Sequence, residues 1–248
     1  MAWGQEGAPR LSLTLGAGYD QGDFGLVELS RASYVPFSLR FAATPQMELG
    51  VTSAVARIDS PGGVEIIDGI PTRTDTAGVP LRETGLTDTT IRSRFFLLTD
   101  DGQGSPKVTM TPYFKVKIPT AEADAGLGTG RPDYGFGVEM DRAFGSAFVF
   151  GEAGYTVVGK VRRLALRNRP SASIGIGKQL GSAVTMSGIL DWRRAIVIGN
   201  SDPAEFTGVI SFRVSPTVLV SPNAFVGLTD GTSDFGAGIQ MRFRFGRF

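Results

Sequence analysis

Cysteine and histidine are both absent from the 248 residues. Without cysteine there are no disulfides, no thiolate metal sites and no thiol nucleophile, and an exported barrel that closes by backbone hydrogen bonding needs no such staples. Without histidine the usual general base near neutral pH and the commonest metal ligand are missing, so a Ser-His-Asp site cannot be built. No run of about 18 apolar residues occurs, which excludes a helical membrane span; any crossing must use strands. Charge of one sign is lacking too: 25 Lys+Arg stand against 24 Asp+Glu, a formal net charge of +1. With no basic tract either, no nucleic-acid partner is expected. The opening residues Met1-Ala-Trp-Gly-Gln-Glu6 have neither the basic nor the apolar region of a signal peptide, and read as the start of a mature chain. There is no linker, no low-complexity stretch and no repeat beyond the hairpin, so residues 1–248 read as one domain.

What is present is glycine and phenylalanine. The 34 glycines, 17 phenylalanines, 42% hydrophobic residues and mean hydropathy of +0.04 are too apolar for disorder and too glycine-rich for a helical bundle. An all-β architecture fits. Strict alternation over eight to twelve residues is the commonest pattern, and it is cleanest from Lys107 to Ile118. Val108, Met110, Pro112, Phe114, Val116 and Ile118 share one face; Lys107, Thr109, Thr111, Tyr113, Lys115 and Lys117 share the other. In a soluble sandwich the apolar face forms the core, whereas in a membrane barrel it faces lipid and the polar face lines the lumen.

Connection lengths decide between the two. Strands read as 10–19, 24–44, 46–58, 86–98, 107–119, 133–143, 147–158, 164–177, 183–198, 204–214, 218–228 and 235–246. The links around Pro45, Thr99 to Pro106, Gly145, Lys178 to Ser182 and Pro216 are mostly tight; those from Asp59 to Gly85, Thr120 to Pro132, Gly159 to Arg163, Gly199 to Pro203 and Thr229 to Asp234 form the other class, and the two alternate. Short turns at one end and longer loops at the other, with an even strand number, are the mark of a bacterial outer-membrane barrel. The expectation is therefore a transmembrane antiparallel up-and-down β-barrel of about twelve strands in the bacterial outer membrane, both termini on the short-turn side. The last strand sets Phe235, Ala237, Ile239, Met241, Phe243 and Phe245 on one face, and ends in Phe248. A terminal aromatic is similar to the signal read by the outer-membrane assembly machinery, a candidate partner. Phe248 has the wrong parity for it unless Gly246 forms a bulge.

Three stretches resemble the outer-membrane barrel family associated with the meta-pathway of phenol degradation, whose members are described as transporter-like. They are Pro36 to Gly50, a strand, turn and strand; Gly85-Leu-Thr-Asp-Thr-Thr-Ile-Arg92; and Phe114 to Thr120, continuing through Gly126 to Gly137. The resemblance implies passage of small, aromatic or hydrophobic compounds across the outer membrane, and it implies no catalytic residues.

If the apolar faces meet lipid, parity assigns the lumen. Its basic set is Arg40, Arg92, Arg94, Lys107, Lys115, Lys117, Arg167, Arg169, Arg193, Arg213, Arg242 and Arg244; its acidic set is Glu48, Glu139, Asp141, Glu152, Asp191 and Glu205. Bases lead two to one, and rings of arginine and lysine in a narrow aqueous passage favour anions. The alternative is that these charges pair across the lumen and plug it. Phe96, Phe148, Phe150 and Phe225 fall on the same face and could hold the ring of an aromatic anion, or simply fill space. Gly126-Leu-Gly-Thr-Gly130 lacks the lysine and helix of a phosphate loop, and acidic pairs such as Glu122 with Asp124 are too few for calcium; no cofactor or metal is expected. Trp192, Tyr19, Tyr155, Phe95 and Phe144 suit an aromatic girdle, and Arg194, which shares the parity of Trp192, must sit at the outer rim. The leading reading is a channel for small solutes in contact with outer-membrane lipid; a closed structural or adhesion barrel is the alternative, and a barrel enzyme is the weakest reading.

Overall fold

The computed structural model describes residues 10–74, 80–99 and 108–246. The alternation becomes a closed antiparallel wall: β1 (Leu11–Gly22), β2 (Ser30–Thr44), β3 (Met47–Ser60), β6 (Leu81–Leu86) continued by β7 (Thr89–Phe95) and β8 (Leu97–Thr99), β9 (Val108–Ile118), β10 (Asp133–Phe144), β11 (Ala147–Val157), β12 (Arg169–Leu180), β13 (Val184–Arg193), β14 (Ala204–Arg213), β15 (Val218–Gly227) and β16 (Phe235–Phe245). Counting the broken β6–β7–β8 as one stave gives a 12-strand barrel. It closes where β1 pairs with β16, in register from Leu11↔Phe245 to Gln21↔Phe235, so no edge is left to aggregate. Among the described residues there is no helix.

Parity sorts the wall into two unlike faces. On β9, Met110, Phe114 and Ile118 are exposed while Thr109, Thr111, Tyr113 and Lys117 are buried inside. The same inversion runs around the ring: Leu15, Phe37, Leu39, Val51, Phe136, Ile174, Phe206 and Ile239 all point outward. A soluble protein could not leave so continuous an apolar surface bare; it is the lipid-facing belt of a membrane barrel. At one end the strands are joined tightly, through Pro45-Gln46, Gly145-Ser146, Gly181-Ser182-Ala183 and Val214 to Thr217; at the other lie the longer connections 23–29, 61–80, 119–132, 158–168, 194–203 and 228–234. In bacterial barrels the short turns are periplasmic and the long loops external, which fixes the orientation used below. Phe248 and Lys107 lie outside the described residues; Gly246, with φ +64°, ends the last strand.

Four boundaries differ from the alternation, one of them at the outer end of β13, which stops at Arg193 where the alternation runs to Ile198. Residues 24–29 are not strand: Phe24 turns inward at φ +54° and is 2% exposed in an apolar cluster with Ala56, Ile58 and Leu127. Residues 164–168 leave the wall, because Leu164 and Leu166 pack with Val158, Ile196 and Val197 into a second cluster under the outer loops. The largest difference lies between Asp59 and Gly85, expected as a loop. Part of it is β6, extending the wall, and part is a separate hairpin, β4 (Val64–Ile67) and β5 (Ile70–Arg73). Its two-residue tip, Asp68-Gly69, has φ +55° and +75°, the mirror-image turn whose twist suits a hairpin.

This hairpin folds into the mouth of the barrel. Val64 and Ile66 enter the first apolar cluster and Ile67 the second, each at most 1% exposed. Backbone hydrogen bonds from Ile66 N to Gly126 O and from Thr74 N to Gly63 O hold its base, and Arg163 donates to Glu65 at 2.7 Å. The outer loops therefore form a small packed core around the hairpin and aim its polar tip down the lumen.

Candidate functional site

Below the tip the lumen is divided into abutting chambers. An outer chamber of about 390 Å³ lies between the hairpin and the wall of β1, β2, β15 and β16, bordered by Tyr34, Asp68, Ile70, Glu205 and Phe225. A central one of about 410 Å³ shares Thr52, Asp68, Ile70, Thr90 and Arg193 with it. A third, of about 530 Å³ and nearer the short-turn end, shares Arg40, Arg94, Glu152, Ser173 and Asp191 with the second. Two necks follow: the hairpin tip, and the charged ring made by the second shared set.

The outer neck is electrostatic. Asp68, at the tip, pairs with Arg169 on β12, and both side chains are nearly buried. Burial pushes the Asp68 carboxyl up, but Arg169, then Lys115, Lys117 and Arg193, outweigh it and hold the carboxyl below the ordinary carboxylate range. Beside it Lys117, 3% exposed, sits between Asp88 at 3.1 Å and Asp133 at 2.8 Å, and its ammonium donates to Thr129. Asp88 reaches this position because the stave breaks at Thr87-Asp88, between β6 and β7.

The inner neck is a branched network on one side of the barrel. Arg94 bridges Glu48 at 3.1 Å and Glu139 at 2.9 Å, and Arg92 bridges Glu139 at 2.6 Å and Glu152 at 3.1 Å. The Arg92 guanidinium lies 3.6 Å over the Tyr113 ring, whose hydroxyl donates to Glu152 at 2.6 Å. Shared carboxylates and a stacked ring fix both guanidinia rigidly. On the strands on the far side of β3 from β7 the situation is different. Arg40 on β2 and Arg242 on β16 flank β1, where the small Ser12 and Thr14 leave room, and neither arginine has an ion pair among the described residues. The Arg242 Nε is buried with no hydrogen-bond partner among the described residues.

Facing these arginines, five staves away on β11, are Phe148 and Phe150, stacked with centroids 5.8 Å apart. They lie flat because the next strand offers glycine beneath each ring: a Cβ on Gly177 would fall 2.2 Å from Phe148 Cζ, and one on Gly175 equally close to Phe150. Phe96 and Ile189 complete the apolar side of the third chamber. Arg40, Arg94 and Arg242 thus share one chamber with an aromatic platform.

Neither a protein-family model nor a curated protein sequence matches the chain. Solved structures do. The COG4313 outer membrane channel from Pseudomonas putida F1 superposes with a TM-score of 0.73 at 9% identity, over 96% of each chain. NanC porin gives 0.60 at 12% identity over 94% of this chain and 99% of the other, and KdgM porin 0.58 at 10% identity over 95% and 99%. The fold is that of an outer-membrane β-barrel. At such identities the likeness carries the wall and its topology, and the lumen must be read from its own residues.

Of the residues assigned to the lumen by parity, Arg40, Arg92, Arg94, Lys115, Glu139, Asp141, Glu152, Asp191, Arg193 and Arg242 border the inner two chambers, and Lys117, Glu205 and Phe225 the outer one. Arg193 pairs with Glu205 at 3.4 Å. Three placements change. Arg167 belongs to an outer loop, because β12 begins only at Arg169; it donates to the Ala195 carbonyl at 2.7 Å and pairs with Asp202. Arg213 ends β14 at the short-turn rim, exposed and outside the chambers. Arg244, one pleat below Arg242, also lies below the third chamber and is half-buried. The two-to-one basic surplus is overturned as well, since Asp20, Asp68 and Asp88 join the lining while Arg167 and Arg213 leave it. Asp68 carried a legible signal, the Asp-Gly pair between alternating residues; Asp88 carried none, because a break in a stave has no fixed composition.

Proposed function

We propose that this barrel is a passive outer-membrane channel for small solutes, and that anionic aromatic compounds are among those it passes. One observation carries the reading: in the third chamber Arg40 and Arg242 have no ion-pair partner among the described residues and face the Phe148–Phe150 platform. A carboxylate or phenolate would accept charge-assisted hydrogen bonds from the guanidinia while its ring lies on the phenylalanines. The two necks, one on each side of the central chamber, are formed by residues that neighbouring chambers share, so a solute leaving one chamber is already at the edge of the next. The names of the structural neighbours, an outer membrane channel and two porins, agree with a channel role. The resemblance to the phenol meta-pathway barrels points to aromatic cargo. No step of this reading needs a catalytic group, and with no histidine in the chain the usual general base is missing.

The test is electrical and chemical. Reversal potentials across a salt gradient are expected to show anion preference, and Arg40→Glu with Arg242→Glu to weaken or invert it. Liposome swelling is expected to be faster in benzoate than in benzylammonium, with the difference lost in Arg40→Ala/Arg242→Ala. Cation preference in the parent protein refutes the assignment. A second reading, a closed barrel whose loops do the binding, is favoured by the inward hairpin with its Asp68–Arg169 lock; absence of conductance at every voltage would establish it.

A further inference from the structure

The lipid-facing surface has one sector unlike the rest. On β2, β3 and β6 the apolar belt ends at the registered row Val35, Val55 and Leu86, all exposed. One pleat period farther out, the outward side chains are Ser33, Arg57 and Thr84, and one period beyond that they are Arg31, Asp59 and Arg82. The outer ends of other staves carry aromatic groups instead, among them Tyr19, Tyr134, Tyr155, Trp192 and Phe235. An aromatic girdle is the ordinary interfacial layer; three arginines on three adjacent strands are not.

From these positions we infer that Arg31, Arg57 and Arg82 form a binding site for the phosphate of a phosphorylated glycolipid in the outer leaflet. Arg57 stands diagonal to both Arg31 and Arg82, and diagonal neighbours on one sheet face lie roughly 7–8 Å apart, a span that long guanidinium arms close onto one phosphate. Asp59, between the upper two, pairs with Arg82 at 2.8 Å, but that pair is exposed, at 70% and 41%, and holds its arginine only weakly. Arg31 and Arg57 have no ion pair among the described residues. The patch therefore keeps two uncompensated charges where a lipid headgroup begins. Tyr19, level with Ser33, and Gln21, level with Arg31, add polar groups on the next strand. The apolar row directly beneath selects a ligand with acyl chains over a soluble phosphate or an acidic protein, because such a ligand covers belt and patch together.

The experiment uses the full-length barrel in detergent, with fluorescent diphosphorylated lipid A as the probe and phosphate-free lipid A and inorganic phosphate as the other arms. The parent is expected to bind the diphosphorylated lipid at least about tenfold tighter than the phosphate-free one, with millimolar inorganic phosphate failing to compete. Arg31→Gln/Arg57→Gln/Arg82→Gln is expected to lose that preference while keeping its single-channel conductance, Arg31→Lys/Arg57→Lys/Arg82→Lys to retain most of it, and Arg194→Gln, elsewhere on the rim, to leave it unchanged. Equal binding of the phosphate-free lipid, undiminished binding by the glutamine variant, or displacement by inorganic phosphate overturns the inference. If the glutamine variant does not refold, the two lipids on the parent still decide. Failure here leaves the channel reading untouched, since these side chains face away from the lumen.

Discussion

Replacing Asp68 by asparagine keeps the shape of the hairpin tip and removes its charge. Arg169 would then face the lumen with no carboxylate; the two side chains are only 14% and 10% exposed, and removing one partner of a buried ion pair costs about 3–5 kcal/mol. Against this stands the apolar grip on the hairpin. Val64, Ile66 and Ile67 are 1%, 0% and 0% exposed, and burying each such side chain contributes about 1.5–3 kcal/mol, together roughly 5–9. The grip outweighs the lost ion pair, so Asp68→Asn alone is expected to leave the hairpin seated, with brief excursions to higher conductance. Adding Ile66→Ala removes about 2–5 kcal/mol more, which brings the combined loss level with the grip. Single-channel recordings of the double variant are expected to flicker between the parental conductance and a larger one. The pH dependence has a definite sign. A carboxyl held below its ordinary value of 3.8 stabilises the seated hairpin at every pH above that value, and the contribution is lost only as pH falls through the lower folded value. Parental conductance is therefore expected to be flat from pH 8 to about pH 4.5 as far as Asp68 is concerned. A double variant indistinguishable from the parent would refute the reasoning, because the hairpin would then either not obstruct the lumen or be held by something else.

Three further outcomes follow from the same geometry. Gly177→Ala places a methyl 2.2 Å from Phe148 Cζ, against an ordinary separation of about 3.5–4.0 Å, so the ring must swing into the third chamber; conductance is expected to fall with a stability cost of about 1–3 kcal/mol, and equal conductance would show that the platform does not border the path. Lys117→Met leaves Asp88 and Asp133 as unpaired buried carboxylates, and a loss of about 3–5 kcal/mol in denaturant unfolding from detergent is expected, partly recovered by acidification; an unchanged midpoint would contradict the burial. Cysteine at Lys115 is expected to react with water-soluble thiol reagents and cysteine at Phe114 with lipid-soluble ones, and reversed labelling would overturn the register.

The wall was legible because its signal is repetitive. A period of two, carried through strand after strand, fixes which residues face lipid, and the alternation of tight and long connections fixes closure and orientation; from β9 onward every stave overlaps its expected place, and the ends differ by at most five residues, at the start of β12 and the end of β13. What escaped was whatever does not repeat. Phe24 and Leu164 read as strand residues by composition, yet both turn inward to cover the hairpin, because the outer loops need a core of their own. The hairpin itself is short, and its Asp-Gly turn was obscured by the length of the segment around it. Arg167 was assigned by parity counted from a strand start five residues too early, an error that parity cannot detect from within.

The charge of the lumen shows why parity alone could not predict its preference. Counting residues along strands credits every arginine with a full field, but a field depends on what lies within a few ångströms. Arg92 and Arg94 are bound into carboxylates at 2.6–3.1 Å and project little beyond them. Arg40 on β2 and Arg242 on β16 have no ion pair among the described residues and keep their charge, while Asp141 and Asp191, also without ion pairs among the described residues, border the same chamber. Uncompensated charge of both signs thus faces one narrow space from different sides, and a field of that kind acts across the passage as well as along it. It orients a solute with a charged end and an apolar end, turning the anion toward β2 and β16 and the ring toward β11. Simple chloride over potassium selectivity is then expected to be modest, and discrimination between benzoate and benzylammonium, which must present opposite charges in the same orientation, is expected to be the larger effect. Swelling assays that found the two ions passing equally while chloride selectivity was strong would place the deciding charge at the mouth, at Arg213 and Arg244, and not in the third chamber.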